Sequence, residues 1–186
     1  MRVASARNPL HMAIAVWEWG AYLGEEGKRN GVRARVSSYR RISADSLIPH
    51  SKASGQYLNS VLAKIESHKA GYEEAILLDD HGHVCEGSGE NIYVVREGTI
   101  YTPPQTAGIL DGINRKSAIQ IARDLGFEVV ERDLGRSELY LADEIFLTGT
   151  AVIDFETPQG RAVVQQALRK RCANADPAEL VQRSLA

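Results

Sequence analysis

The chain has 186 residues and a formal net charge of −2, with 44% hydrophobic and 25% charged residues. This balance suits one globular domain large enough to bury a core, and it argues against nucleic acid as a partner, which calls for a basic surface. Two cysteines without C-x-x-C spacing, Cys85 and Cys172, and apolar runs only a few residues long, such as "AIAVW", exclude a disulfide framework and a transmembrane helix.

His11 and Pro9 interrupt any signal-peptide core, so a reducing cytoplasm is the expected location. "HMAIAVW" (11–17) reads as a short buried strand and "WGAYLGEEG" as a glycine-punctuated loop. "GVRARVSSYRR" (31–41) alternates apolar and polar residues, which predicts a second strand. Between Ser51 and Gly71 the period changes: Leu58, Val61, Leu62 and Ile65 fall at i, i+3, i+4, i+7, the expected core stripe of a helix that Gly71 stops.

"EEAILLDDHGHVCEG" then predicts a hairpin with His81-Gly82 near its tip. "NIYVVREGTIYTPP" predicts another, turned at Glu97-Gly98 and closed by Pro103-Pro104. "DGINRKSAIQIARDLG" (111–126) reads as a helix with Ala118, Ile121, Ala122 and Leu125 inward. "FEVVERDL" and "DEIFLTGTA" read as strands, separated by a short turn or helix around 136–141, and the residues after Thr157-Pro158 read as two charged helices. Strands gathered in hairpins rather than in strict βαβ alternation place the fold in the α+β class.

Several segments could carry chemistry. His81, His83 and Cys85 alternate, as zinc ligands on one strand face would, but turn residues explain them without a metal. "EGSGEN" (86–91) lets backbone approach a ligand closely, and its carboxylates suit a protonated heteroaromatic nitrogen. "LDGIN" (110–114) leads into a helix, whose free N–H groups favour phosphate, and "LTGTA" (147–151) ends a strand with hydroxyls that suit an anion. Lys52 sits in "HSKASGQYL" among small residues that leave room for a group bonded to its amine. Plain turns, an ordinary helix start and a solvated lysine are the bland readings of each. Together the parts are those of a pyridoxal phosphate site.

"IPHSKASGQYL", "CEGSGENIYVV", "TPPQTAGILDGINRKS" and "YLADEIFLTGTA", in that order, closely resemble the branched-chain aminotransferases, which are class IV (fold-type IV) pyridoxal phosphate enzymes. "WEWGAYLG" and "VSSYRRIS" extend the resemblance over roughly residues 9–151. It implies a mixed sheet or pseudo-barrel with flanking helices, a cofactor domain over 1–156 and a divergent helical tail over 157–186. It also implies transfer of an amino group between leucine, isoleucine or valine and 2-oxoglutarate, in a cytoplasmic homodimer engaged in branched-chain amino acid biosynthesis.

By position, the resemblance implies that Lys52 bonds the cofactor and shuttles the substrate α-proton, while Tyr57 bonds the cofactor's phenolic oxygen. Glu86 would pair with the pyridine nitrogen and Leu110 would pack on the ring. Gly112, Ile113, Asn114 and Thr150 would hold the phosphate. Thr150 and Ala151 would face the substrate carboxylate, and Trp19 and Tyr22 would line the side-chain pocket. Asn114 stands where the family usually has threonine, the resemblance implies a cofactor domain without the family's preceding N-terminal domain, and "VIDFETPQG" stands in place of the family's later segments. D-amino acid transamination, aminodeoxychorismate lyase activity and a catalytically impaired domain remain the alternative readings.

Overall fold

The computed structural model describes residues 11–16, 30–149 and 153–154. Trp19, Tyr22, Thr150, Ala151 and the tail expected over 157–186 lie outside the described residues.

Strand β1 (Ala34–Arg40) pairs in parallel with β2 (Glu74–Leu78), and helix α1 (Tyr57–Lys69), entered through a 3-10 turn at Ser54–Gln56, connects them. Ala70 caps α1, and Gly71 at φ +81 supplies the left-handed residue that ends it. Strand β3 (Val84–Gly87) returns antiparallel to β2, with Gly82 at the hairpin tip. Strands β4 (Asn91–Arg96) and β5 (Thr99–Thr102) form the second hairpin. Its turn holds Glu97 at φ 51 and Gly98 at φ 80, the paired left-handed residues that match strand twist. Helix α2 (Ile113–Asp124) carries the chain to β6 (Val129–Glu131), which lies parallel to β5. A short helix α3 (Glu138–Leu141) precedes β7 (Glu144–Thr148), and β8 (Ile153–Asp154) pairs with β7.

The sheet runs β1-β2-β3-β4-β5-β6, with β7 on the other edge of β4. This mixed sheet with flanking helices is the α+β architecture expected, joined by two parallel crossovers that the sequence did not reveal. Closure into a pseudo-barrel is not found among the described residues: β1 bonds only β2, β6 bonds only β5, and the sheet stays open. Residues 11–16 form no strand, since Met12, Ile14 and Val16 are exposed with no ladder beside them.

One core cluster joins Ile76, Leu78, Val84, Ile92, Val94, Leu134 and Leu147. Another packs Ala118, Ile119 and Ala122 of α2 against Tyr93 and Ile100. Tyr93 stacks on Phe146 at 4.5 Å and donates its hydroxyl proton to the Arg115 carbonyl oxygen at 3.1 Å. In α2, Ala118 and Ala122 are inward as expected, Ile121 and Leu125 are half-buried, and Arg115 and Ile119 are buried as well.

Helix α1 is turned over relative to the expected stripe. Leu58, Val61, Leu62 and Ile65 face outward, Leu58 being 65% exposed, whereas Ser60, Ala63 and Ser67 face the sheet. Ala63 meets Ala75 and Leu77, so small residues let the helix lie close on β2. Polar ties fix this orientation: the Ser37 hydroxyl donates to Glu66 at 2.5 Å, the Ser38 N–H donates to Glu66 at 3.0 Å, and Lys64 bonds Glu74.

The inverted stripe makes a direct prediction. Ala63→Leu overpacks the contact with Ala75 and Leu77 and costs about 1–3 kcal/mol in urea unfolding. Ile65→Ala, on the outward face, changes stability by about 0.5 kcal/mol or less.

Candidate active site

Four segments converge on one cleft of about 280 Å³. The first wall is the approach to α1, where Lys52, Tyr57 and Ser60 line the cleft. No side chain caps this helix start. Two bonds fix the preceding loop: the Gln56 amide donates to the Ile48 carbonyl oxygen at 2.5 Å, and His50 Nδ1–H donates to the Ile109 carbonyl oxygen at 3.0 Å. The "ASG" run after Lys52 keeps the chain slim there, and Lys52 itself is exposed.

The second wall is the end of β3 and the loop to β4. Glu86 is buried, and Oε1 lies 2.8 Å from Nε of the equally buried Arg41. Glu86 Oε2 accepts from the Leu110 N–H at 2.9 Å and the Asn91 side-chain amide at 3.3 Å. Three donors leave the carboxylate with room for one more, since its two oxygens offer about four acceptor directions. Burial pushes the Glu86 carboxyl up to about 7, against the opposing pull of Arg41, the Leu110 N–H and His50.

The third wall is Leu110 to Asn114, the entry to α2. Gly112 precedes the helix in an extended conformation and no side chain caps it, so the first amides of α2 have no intrahelical acceptor. The Asn91 side-chain amide donates to the Leu110 carbonyl oxygen at 2.9 Å, and a Cβ on Gly112 would collide with Asn91 Oδ1. Glycine is therefore what lets the helix end close on β4. Asp111, the acid at this end, is paired with Lys116 at 2.6 Å, which holds its carboxyl below the ordinary range. The fourth wall is the end of β7, where Thr148 and Gly149 reach the cleft immediately before Thr150.

Lys52, Tyr57, Glu86, Leu110, Gly112, Ile113 and Asn114 thus share one cleft, although the chain separates them widely. Sequence reasoning missed Arg41 and Asn91, and it noted Glu90 beside the glycine loop without giving it a role of its own. Arg41 and Asn91 lie within or beside the segments "VSSYRRIS" and "SGEN", but nothing local marks their partners. Glu90 is buried and lines the cleft; its Oε2 accepts from the Gly89 N–H at 3.0 Å, and Oε1 has no hydrogen-bond partner among the described residues. Among the same residues no group of three or more His, Cys, Asp or Glu side chains is placed to hold a metal. Cys85 instead turns into the core and donates to the Ala107 carbonyl oxygen at 2.8 Å, and burial pushes its thiol up. His83 Nδ1 lies 3.3 Å from Asp79.

The class IV amino-transferase family model matches residues 2–153. The chain belongs to that family. The branched-chain-amino-acid aminotransferase of Pseudomonas aeruginosa is 46% identical over 142 residues, covering 76% of this chain and 46% of that protein. The crystal structure of the Escherichia coli branched-chain amino acid aminotransferase superposes with a TM-score of 0.76 at 40% identity, over 80% of this chain and 54% of that one. The branched-chain amino acid aminotransferase of Thermobaculum terrenum, solved in its PLP form, gives a TM-score of 0.71 at 37% identity, over 75% of this chain and 50% of that one. This class IV aminotransferase chain spans about half the length of the relatives it matches. Among the described residues no helix is long and apolar enough to cross a membrane.

Glu90 gives the site a pH signature. Burial, then the neighbouring Glu74 charge, raises its carboxyl from 4.5 to about 7. A pKa raised by folding means that the folded chain holds the proton more tightly, so the associated stability is complete below about pH 4.5 and lost as pH rises through about 7. Glu90→Gln, neutral at every pH, loses that dependence. The variant therefore gains stability relative to the parent between about pH 5 and pH 8, read as a rising difference in urea midpoint; a constant difference would refute the assignment.

Proposed function

We propose that this chain is the cofactor-holding part of a pyridoxal phosphate-dependent aminotransferase that moves an amino group between branched-chain amino acids and 2-oxoglutarate. The observation that carries the reading is the cleft in which one lysine, two buried carboxylates and one uncapped helix entry meet. The donor set fits the group. Glu86 keeps a free acceptor direction beside Arg41, and the amides at Ile113 and Asn114 offer an anion site that needs no threonine hydroxyl. Pyridoxal phosphate supplies an electron sink for negative charge at a substrate α-carbon.

In this reading the Lys52 amine holds the cofactor covalently and moves the proton at the substrate α-carbon. The Tyr57 hydroxyl orients the phenolic oxygen, and Glu86 holds the ring nitrogen's proton. Leu110 covers one ring face, and the Gly112–Asn114 backbone binds the phosphate together with Thr150. Thr150 and Ala151 receive the substrate carboxylate, while Trp19 and Tyr22 shape the side-chain pocket. A homodimer in the cytoplasm completes the reading, and the buried free thiol of Cys85 fits a reducing compartment. A second reading, a domain that binds cofactor without turnover by itself, draws on the open side of the cleft: Tyr57 is 41% and Ile113 81% exposed.

Borohydride reduction of the chain with pyridoxal phosphate, followed by peptide mapping, tests the reading. Label is expected on Lys52 and abolished in Lys52→Ala; label elsewhere, or none, would overturn it. Leucine and 2-oxoglutarate then separate the two readings, because glutamate formation requires turnover and colour alone marks cofactor binding. In the same assay Gly112→Ala weakens cofactor binding about tenfold or more, as its methyl displaces Asn91 and withdraws the helix entry.

A further inference from the structure

Below the cleft lies a buried charged group that the functions proposed above leave unused. Glu74, at the start of β2, is fully buried. Its Oε2 takes Nζ of Lys64, and its Oε1 accepts the N–H of Ala75 at 2.7 Å and of Ser88 at 3.2 Å. Lys64 stands on α1, whose first turns place Tyr57 and Ser60 in one wall of the cleft. Ser88 stands two residues after Glu86, in the loop that forms the opposite wall together with Gly89 and Glu90. That loop is braced from within by the Gly87 N–H, which donates to the Glu90 carbonyl oxygen at 2.7 Å. It has no slack either: a Cβ on Gly87 would lie 2.6 Å from Glu90 Oε2, and one on Gly149 would lie 3.1 Å from the Gly89 carbonyl oxygen.

From this geometry we infer that Lys64 and Glu74 are positioning residues, an ion pair with a fully buried carboxylate and a half-buried lysine that sets the Lys52–Tyr57 wall against the Glu86 wall. One carboxylate grips a side chain from the first wall and a backbone amide from the second. A shift of α1 along β2 therefore strains the loop that aims Glu86. A buried ion pair contributes little net stability over an apolar pair of similar volume, whereas breaking it strands a charge. Its value here is placement, because a polar contact has one geometry and an apolar contact slides.

The inference rests on the cofactor reading only for its chemical consequence, so its test has two arms on the full-length chain. In the first, hydrogen exchange is followed without added ligand. Lys64→Met, and Glu74→Gln, which keeps side-chain volume, are each expected to raise exchange by about tenfold or more in peptides covering both 52–60 and 86–91. Peptides covering 99–102 and 113–124 stay unchanged, and Lys64→Arg restores the parent pattern in both walls. Exchange that rises in one wall alone, or uniformly across the chain, would overturn the coupling and leave a general structural role. In the second arm, pyridoxal phosphate is added and the pH midpoint of its visible absorbance is read. Lys64→Met and Glu74→Gln shift that midpoint by about half a unit or more, with recovery in Lys64→Arg. A midpoint unmoved in both variants counts against positioning of the chemistry. A parent chain that gives no visible absorbance refutes the cofactor reading instead, and the exchange arm then decides the coupling of the walls.

Discussion

The cleft depends on one buried ion pair, Arg41 with Glu86. Neither group survives burial alone, because a stranded charge in a low-dielectric interior loses more hydration than the packing around it returns. Arg41 leaves β1 with its N–H on the Leu78 carbonyl oxygen and its guanidinium also within reach of the Gly108 carbonyl oxygen at 3.2 Å. Glu86 collects the Leu110 N–H and the Asn91 amide. The exit of β1, the end of β3, the start of β4 and the entry to α2 are therefore pinned around one pair of charges.

The same constraint shapes the electrostatics. Glu86, Glu74 and Glu90 are three buried carboxyl groups at or beneath the cleft, while Arg41 and Lys64 each engage one of them. Burial raises the Glu86 and Glu90 carboxyls alike to about 7, so both take a proton more readily than an exposed glutamate does. The Glu86 carboxylate, which lines the cleft with Arg41, keeps one acceptor direction for a ligand beyond its arginine and amide donors.

The candidate site was legible where function needs contiguous residues. "HSKASGQYL", "EGSGEN" and "LDGIN" each carry their own chemistry: small residues beside an amine, a carboxylate beside a flexible loop, an uncapped helix start. Their convergence on one cleft agrees with the resemblance those segments carry. Arg41, Asn91 and Glu74 were not legible, because each matters only through a partner far along the chain. A buried arginine looks in sequence like any other. The hairpins were readable from Glu97-Gly98 and His81-Gly82, since turn chemistry is local. The parallel pairing of β1 with β2 and of β5 with β6 was not, since a crossover leaves no local mark on either strand.

Helix α1 separates the two levels most clearly. Periodicity located a helix with an apolar face and a glycine stop, and both are present. It did not decide which face meets the sheet. Ser60, Ala63 and Ser67 do so, since small side chains permit close approach and polar ties from Ser37 and Glu74 lock it. By itself the sequence determined the elements between β1 and β7, their turns, and the family-bearing segments around Lys52, Glu86 and Gly112, because these follow from local periodicity, glycine conformation and contiguous chemistry. The tertiary structure alone decided which helix face is buried, that the described sheet stays open, and that Arg41 and Asn91 complete the site. Those outcomes depend on burial and on partners distant in the chain, which no local pattern encodes.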